Sequence, residues 1–240
     1  DVQAGNGIAT VEGTGSSPTT LTYVPNLDFN GADSFSVKVT DESGNSDTVI
    51  INVAVASVND APTLTIPGVQ FVDFDASLIL STENGNAITL TDVDAGDSDL
   101  LQVSLEVLEG GTLTLLTTAD ITLSTGDGES DSKLVFKATA TNAHNVLDGL
   151  TFTPIQSPES PGLSQILITV DDLGNSGSGG ALSTPEILDI TINHKPPVIS
   201  EGESVSVTMD EDSPWIVPTL TATDPNSEVM FWSLDVQAGN

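Results

Sequence analysis

Apolar and polar residues alternate along much of the chain. Phe35, Val37 and Val39 alternate with Ser36 and Lys38, and Val49, Ile51, Val53 and Val55 continue the pattern. Leu101, Val103, Leu105 and Val107 repeat it, as do Val205, Val207 and Met209. A period of two over short runs, bounded by Gly, Pro, Asn and Asp, predicts half-buried antiparallel strands. The abundance of Thr and Val agrees. Glu109-Gly110-Gly111, and Ala238-Gly239-Asn240 followed by Gly7, predict hairpin turns. One stretch, 141–150 (TNAHNVLDGL), predicts a helix of one or two turns. Thr141 would cap it, with Ala143, Val146, Leu147 and Leu150 on one face. The fold expected is all-β, an antiparallel sandwich twice over.

The ends of the chain carry the same hexapeptide: Asp1 to Asn6 reads DVQAGN, and so does Asp235 to Asn240. This predicts a tandem array whose period restarts at Asp235, with whole domains in series rather than small solenoid units. A weaker repeat lies inside the period. LTYVPN from Leu21, with its following FSVKVTDESGNS, parallels LTFTPI from Leu150 with ILITVDDLGNS. The stretch from Leu220 to Asn240, continued at Gly7, parallels the one from Leu90. Three segments follow. Residues 61–196 form a complete domain, longer than its relative mostly through 117–149. Residues 1–60 hold the C-terminal strands of a split domain, and 197–240 the N-terminal strands of its next copy. Joined, the split domain has the size of an immunoglobulin-like sandwich.

Charge narrows the partners. The 240 residues carry 35 acidic against 4 basic side chains, a net charge of −31, and no cysteine. Nucleic acid and anionic lipid would be repelled. Disulfides, cysteine-ligated zinc and thiol catalysis are excluded. No apolar run approaches the ~20 residues of a membrane span. The expectation is a soluble, extracellular or cell-surface protein whose partners are cations.

The acids fall at strand ends: Asp28, Asp41-Glu42, Asn59-Asp60, Asp92-Val93-Asp94, Asp171-Asp172 and Asp210-Glu211-Asp212. Strand ends of a sandwich collect at its poles, and carboxylates gathered there favour a cation. Calcium accepts six to eight oxygens from such loops. VTDESG (39–44), VASVNDAP (55–62) and LTATDPNSE (220–228) resemble cadherin repeats and the cadherin-like tandem repeats of RTX-type bacterial surface adhesins. The resemblance implies calcium between consecutive domains, stiffening a rod. Matched position by position, it implies metal ligation by Glu211, Asp28, Asn59, Asp60, Asp92, Asp94 and Asp172. Asp28 stands in the LDRE position, whose Glu is absent. Asn59 and Asp60 stand in the DxNDN linker, which lacks its first Asp and last Asn. One or two ions per junction are expected rather than three. At the other junction the linker reads Asn193-His194-Lys195-Pro196-Pro197, and the DxD position is Asp224-Pro225-Asn226. Glu83 and Asp41 keep the early and late acids there. Lys195 would stand in for a metal, so calcium is expected at the Asp60 junction and weakly or not at all at Lys195.

Other chemistry is poorly supported. The loop 126–131 (GDGESD) lacks the Gly and Glu of an EF-hand and reads as an exposed loop. The glycine-rich stretch 174–180 has no following Lys for phosphate. His144 and His194 fit no catalytic triad. Trp215 and Trp232 read as core residues before sugar platforms. No enzyme is predicted. The reading is a non-enzymatic adhesive or structural extension module of a long secreted tandem-repeat protein. Its partners would be neighbouring repeats or identical chains end to end, and cell-surface or matrix ligands. The rival is a subunit of a self-assembling extracellular filament or sheath, completed by strand exchange between neighbours.

Overall fold

The computed structural model describes residues 2–155, 162–212, 214, 218–225 and 229–233. Strands β1 (Val2–Ala4), β2 (Gly7–Glu12) and β3 (Thr20–Pro25) form a three-stranded antiparallel sheet. Strands β4 (Gly31–Thr40) and β5 (Ser46–Val55) form a long hairpin. The predicted Ala-Gly-Asn-Gly turn is present in its N-terminal copy, between β1 and β2. Its C-terminal copy lies outside the described residues.

A larger sandwich follows. Its strands are β6 (Thr63–Thr65), β7 (Gln70–Asp73), β8 (Leu78–Leu80), β9 (Thr89–Thr91), β10 (Leu101–Val107), β11 (Gly111–Thr114), β12 (Thr122–Thr125) and β13 (Lys133–Ala138). After helix α1 (Ala140–Leu147) come β14 (Leu150–Pro154), β15 (Leu163–Asp171) and β16 (Ser183–Asn193). One sheet runs β12-β13-β10-β15-β16-β7, with β7 parallel to β16; β11-β14-β8 and the pair β6-β9 cover it. The C-terminal segment adds β17 (Val198–Ile199) and β18 (Ala222–Thr223), paired antiparallel.

The alternation sets this architecture. Along β10 every second residue, Leu101, Val103, Leu105 and Val107, is buried, and along β15 so are Ile166, Ile168 and Val170. They meet Leu80, Leu113, Leu150 and Phe152 from the facing sheet in one continuous core. Gly111 lets β11 cross Phe152, because a Cβ there would sit 2.1 Å from the ring. The stretch 117–149 adds β12 and β13 to the edge of the large sheet and supplies α1.

The helix buries Ala143, Val146 and Leu147 as its pattern predicts. Its cap is Thr139, not Thr141: the Thr139 side chain accepts the Asn142 N–H at 3.3 Å. Two Thr residues two apart offer the same chemistry, and the buried end of β13 places the earlier one at the first turn. Leu150 is buried from β14 rather than from the helix.

The N-terminal strands contrast with this sandwich. Among the described side chains their buried apolar residues are Ala9 and Phe35, with Tyr23, Val37, Ile51 and Val53 packed around them. Tyr23 stacks on Phe35 at 5.8 Å, and its hydroxyl donates to Asp33 at 2.7 Å. The alternating run through Val205, Val207 and Met209 has no ladder partner among the described residues.

Candidate cation junction

Residues 56–62 carry the chain from β5 to β6, and the structure pins them to the pole of the central sandwich. The Asn59 N–H donates to the Ser178 carbonyl at 2.9 Å, and the Ser178 N–H donates to the Ser57 carbonyl at 3.1 Å. Val58 and Ser178 thus form a short parallel bridge. The Asn59 side-chain amide donates to Asp172 Oδ2 at 2.6 Å and to the Gly180 carbonyl at 3.0 Å. Thr184 Oγ1 donates to the Pro62 carbonyl at 2.5 Å. Asn59 and Asp172 are 6% and 2% exposed, so this amide–carboxylate pair is an internal peg, not a surface contact.

Asp172 is saturated by donors. Its Oδ1 accepts the N–H groups of Gly174 at 2.7 Å and Leu182 at 2.9 Å. Burial pushes its carboxyl up, but the Leu182 and Gly174 amides, with the Asn59 side chain, outweigh burial and hold it below the ordinary carboxylate value. Beside it, the Asp60 N–H donates to Asp94 Oδ2 at 2.6 Å. Asp92 Oδ1 accepts from the N–H groups of Asp94 at 2.8 Å and Ala95 at 3.1 Å, which folds the DxD turn on itself. Ser176 Oγ donates to the Asp94 carbonyl at 2.9 Å and ties this turn to the glycine-rich loop. The other Asp92 oxygen, Oδ2, is buried and has no partner among the described residues.

Five of the seven residues expected as ligands therefore share one pole: Asn59, Asp60, Asp92, Asp94 and Asp172. Asp28 and Glu211 do not join them by hydrogen bond or ion pair among the described residues. Asp28 is exposed in the turn after β3 with φ 59°, and Glu211 is exposed in the C-terminal segment. Among the described residues no three His, Cys, Asp or Glu side chains converge into a metal cage. Hydrogen bonding explains this: Asp172 is occupied by three N–H donors, and Asp94 faces a backbone amide.

At the second junction Lys195 Nζ meets both carboxylate oxygens of Asp75, at 2.6 and 2.8 Å. Neighbouring His194 packs against Phe74 at 5.1 Å between ring centroids. The lysine thus reaches an acid in the turn after β7. In the loop 126–131, Asp131 Oδ2 accepts the N–H groups of Asp127 and Gly128 at 3.1 and 2.8 Å, a backbone-holding role.

The pattern of the sequence hid one participant, the loop 174–180. Its glycines had no assigned role once phosphate was set aside, yet they make room for the linker. Gly177 has φ +79°, and a Cβ there would lie 2.5 Å from the Asn59 backbone nitrogen and 2.6 Å from the Val58 carbonyl carbon. The usable signal was position: the loop directly follows Asp172.

The bacterial Ig domain family matches residues 1–54, which carry β1 to β5. No curated protein sequence matches the chain. Among solved structures, the chain is similar to the extracellular cadherin domains 1–5 of protocadherin gamma B2, at 16% identity and TM-score 0.39. The match covers 92% of this chain and 38% of that one. A cohesin module from a Clostridium perfringens family 33 glycoside hydrolase matches at 11% identity and TM-score 0.28, over 57% of this chain and all of that one. The adhesive subunit of the CFA/I fimbria of enterotoxigenic Escherichia coli matches at 15% identity and TM-score 0.30, over 72% of this chain and 62% of that one. Scores this low carry no argument about function. The N-terminal strands thus resemble a bacterial Ig domain, and the whole is an all-β chain of antiparallel sandwich strands.

Proposed function

We propose that this chain is a non-enzymatic extension module of a long extracellular tandem-repeat protein, stiffened by calcium at the junction around Asp60. The observation that carries the reading is the docked linker. Residues 57–62 are fixed by side-chain and backbone hydrogen bonds to the pole of the sandwich they enter, so the connection is built as a joint rather than a tether. Carboxylates lie at that joint, and the buried Asp92 Oδ2 lacks a donor. A buried carboxylate oxygen without a partner is costly, and a cation satisfies it. Asp92, Asp94 and Asp60 would hold the ion, and Asp172 would orient Asn59. The remaining oxygens would come from Asp28, and from Glu211 of the preceding repeat. When bound, calcium supplies oxygen coordination and charge neutralisation between two domains. The non-enzymatic reading is supported by the local hydrogen bonding, which commits the junction carboxylates to backbone amides rather than to an open cleft. No helix among the described residues is long and apolar enough to cross a membrane.

Calorimetric titration of calcium into the full chain tests this reading. The expected result is one site in the range of extracellular modules, ~10⁻⁴–10⁻³ M. Asp92→Asn weakens it at least about tenfold, since a charged ligand is lost. Lys195→Ala leaves the isotherm unchanged, because Lys195 pairs with Asp75 on the exposed surface of the other junction. An isotherm insensitive to Asp92→Asn, or equal sites at both junctions, would contradict the assignment.

A further inference from the structure

A groove runs along one side of the central sandwich, where the edge strand β7 of the large sheet stands beside the edge strand β8 of the smaller one. It holds about 700 Å³, within the ~300–1,000 Å³ of ordinary ligand sites. Its walls come from residues between 69 and 86 and from Asn193, so the central sandwich forms it alone.

Two large apolar side chains meet water there: Phe71 is 65% and Ile79 48% exposed. The strand pattern dictates the first. Val72 points into the core, which turns its neighbours Phe71 and Asp73 to the outer face of β7. In register with β16, Phe71 lies opposite Thr191 and Asp73 opposite Asn193. Asn193 Nδ2 donates to Asp73 Oδ1 at 3.4 Å. The outer face thus carries an aromatic ring and, about 6.6 Å along the strand, a joined carboxylate and amide. A ring held outward adds nothing to the core, and its face is open to a partner.

The opposite wall is built of amides. Asn86 Oδ1 accepts the Ser81 N–H at 2.9 Å, and its Nδ2 donates to Gln70 Oε1 at 2.8 Å and to the Ile79 carbonyl at 3.2 Å. Asn84 Nδ2 donates to the same carbonyl at 3.0 Å, and Gln70 Nε2 donates to the Gly68 carbonyl at 2.8 Å. This bridge from the turn after β8 to β7 holds the groove in shape, and it narrows the ligand. The amides occupy the Ile79 carbonyl on the free edge of β8 and the Gly68 carbonyl at the entry to β7. A peptide adding as a strand would have to displace them. No basic side chain is among the described residues that line the groove, and the net charge is −31, so an anion is disfavoured. A neutral molecule with apolar faces and many hydroxyls fits what remains. Among the described residues Asn84 and Asn193 each spend one side-chain N–H within the protein. Each keeps a second N–H and the amide oxygen, a donor and an acceptor for a hydroxyl.

We infer that this groove binds a neutral hexopyranose chain, with one sugar ring stacked on Phe71 and its hydroxyls bonded to Asp73, Asn193 and Asn84. The C–H face of a pyranose is apolar and its rim is polar, which matches an aromatic platform bordered by amides and a carboxylate. The site adds a ligand to a module whose proposed role is to span distance. It uses neither calcium nor the junction around Asp60.

Heteronuclear NMR of the isotope-labelled full chain in chelator tests it, with gluco-, galacto-, manno- and N-acetylglucosamine hexaoses added in turn at millimolar concentration. At least one is expected to shift the side-chain NH2 signals of Asn84 and Asn193 and the Phe71 amide saturably, while polygalacturonate and a lysine-rich peptide shift none of them. Phe71→Ala weakens the affinity roughly tenfold, as loss of one aromatic stacking contact does. Phe71→Trp retains it, because a larger ring face remains. The side chain points outward, so unchanged β10 and β15 signals report that both variants fold. If all the oligosaccharides leave the groove signals unmoved, the inference is overturned. Binding that survives Phe71→Ala at full strength overturns it too, and so does a lysine-rich peptide that shifts these signals where the sugars do not. Because calcium is absent throughout, the calorimetric test of the Asp60 junction stands or falls separately.

Discussion

Asp172→Ala is expected to destabilise the central sandwich by about 3–4 kcal/mol, because it leaves three buried donors without an acceptor. Those donors are the N–H groups of Gly174 and Leu182 and the side-chain amide of Asn59. Thermal unfolding followed by circular dichroism would show a fall in Tm of about 10 °C for a unit of this size. Asp172→Asn is expected to fall between the two. It keeps an oxygen for the backbone amides but turns its own NH2 toward the Asn59 amide. A Tm within about 1 °C of wild type for Asp172→Ala would show that the peg contributes little. The same group sets an acid dependence. Its folded-state pKa lies below the ordinary value, so its contribution is fully present above the unfolded pKa of about 3.9 and is lost as pH falls through the folded value. The junction is therefore stable through neutral pH and loosens only in strong acid.

Gly177→Val is expected to release the linker while leaving the core intact. The position needs φ +79°, which costs a residue with a Cβ about 1–2 kcal/mol. The added carbon also meets the Val58–Asn59 backbone, and its two shortest contacts are to main-chain atoms that cannot swing aside. Hydrogen exchange resolves the outcome by residue. Protection of the Asn59 and Ser178 amides should fall by roughly 100-fold, while the β10 and β15 amides keep theirs. Equal loss in both places would mean that the loop supports the whole sandwich and not the joint.

The fold was legible because alternation is a local signal. Leu101 to Val107 and Ile166 to Val170 announce their buried faces within a few residues, and each is a strand. The helix was legible for the same reason; its cap shifted between two equivalent threonines, and Leu150 fell to the next strand. The joint was half legible. Acidic strand ends and the resemblance to cadherin repeats assigned Glu211, Asp28, Asn59, Asp60, Asp92, Asp94 and Asp172 to one junction, and five of these share one pole of the central sandwich. Those signals did not show that Asp172 is spoken for by backbone donors, since Asn59 and Asp172 lie 113 positions apart. Nor did they show that Gly177 is kept small for a linker folded far from it in sequence. Contacts set by the approach of two backbones leave little trace in a single sequence, except a glycine whose purpose is open. The partner of Lys195 escaped on the same ground, because Asp75 lies 120 positions away.

The partition of acids also changes how the charge of −31 is read. At the joint, carboxylates are spent on capping turns and pegging the linker, and the orphaned Asp92 oxygen is the place where a cation adds most. Stiffness then depends on how firmly the chain just before Ser57 is held. Small-angle X-ray scattering of the dilute, monomeric chain measures this directly, with millimolar calcium and then with chelator. The expected result is a longer, narrower distance distribution with calcium, which contracts and broadens on chelation, while Asp92→Asn in calcium matches the chelated curve. An unchanged maximum dimension in all three conditions would contradict a calcium-stiffened joint.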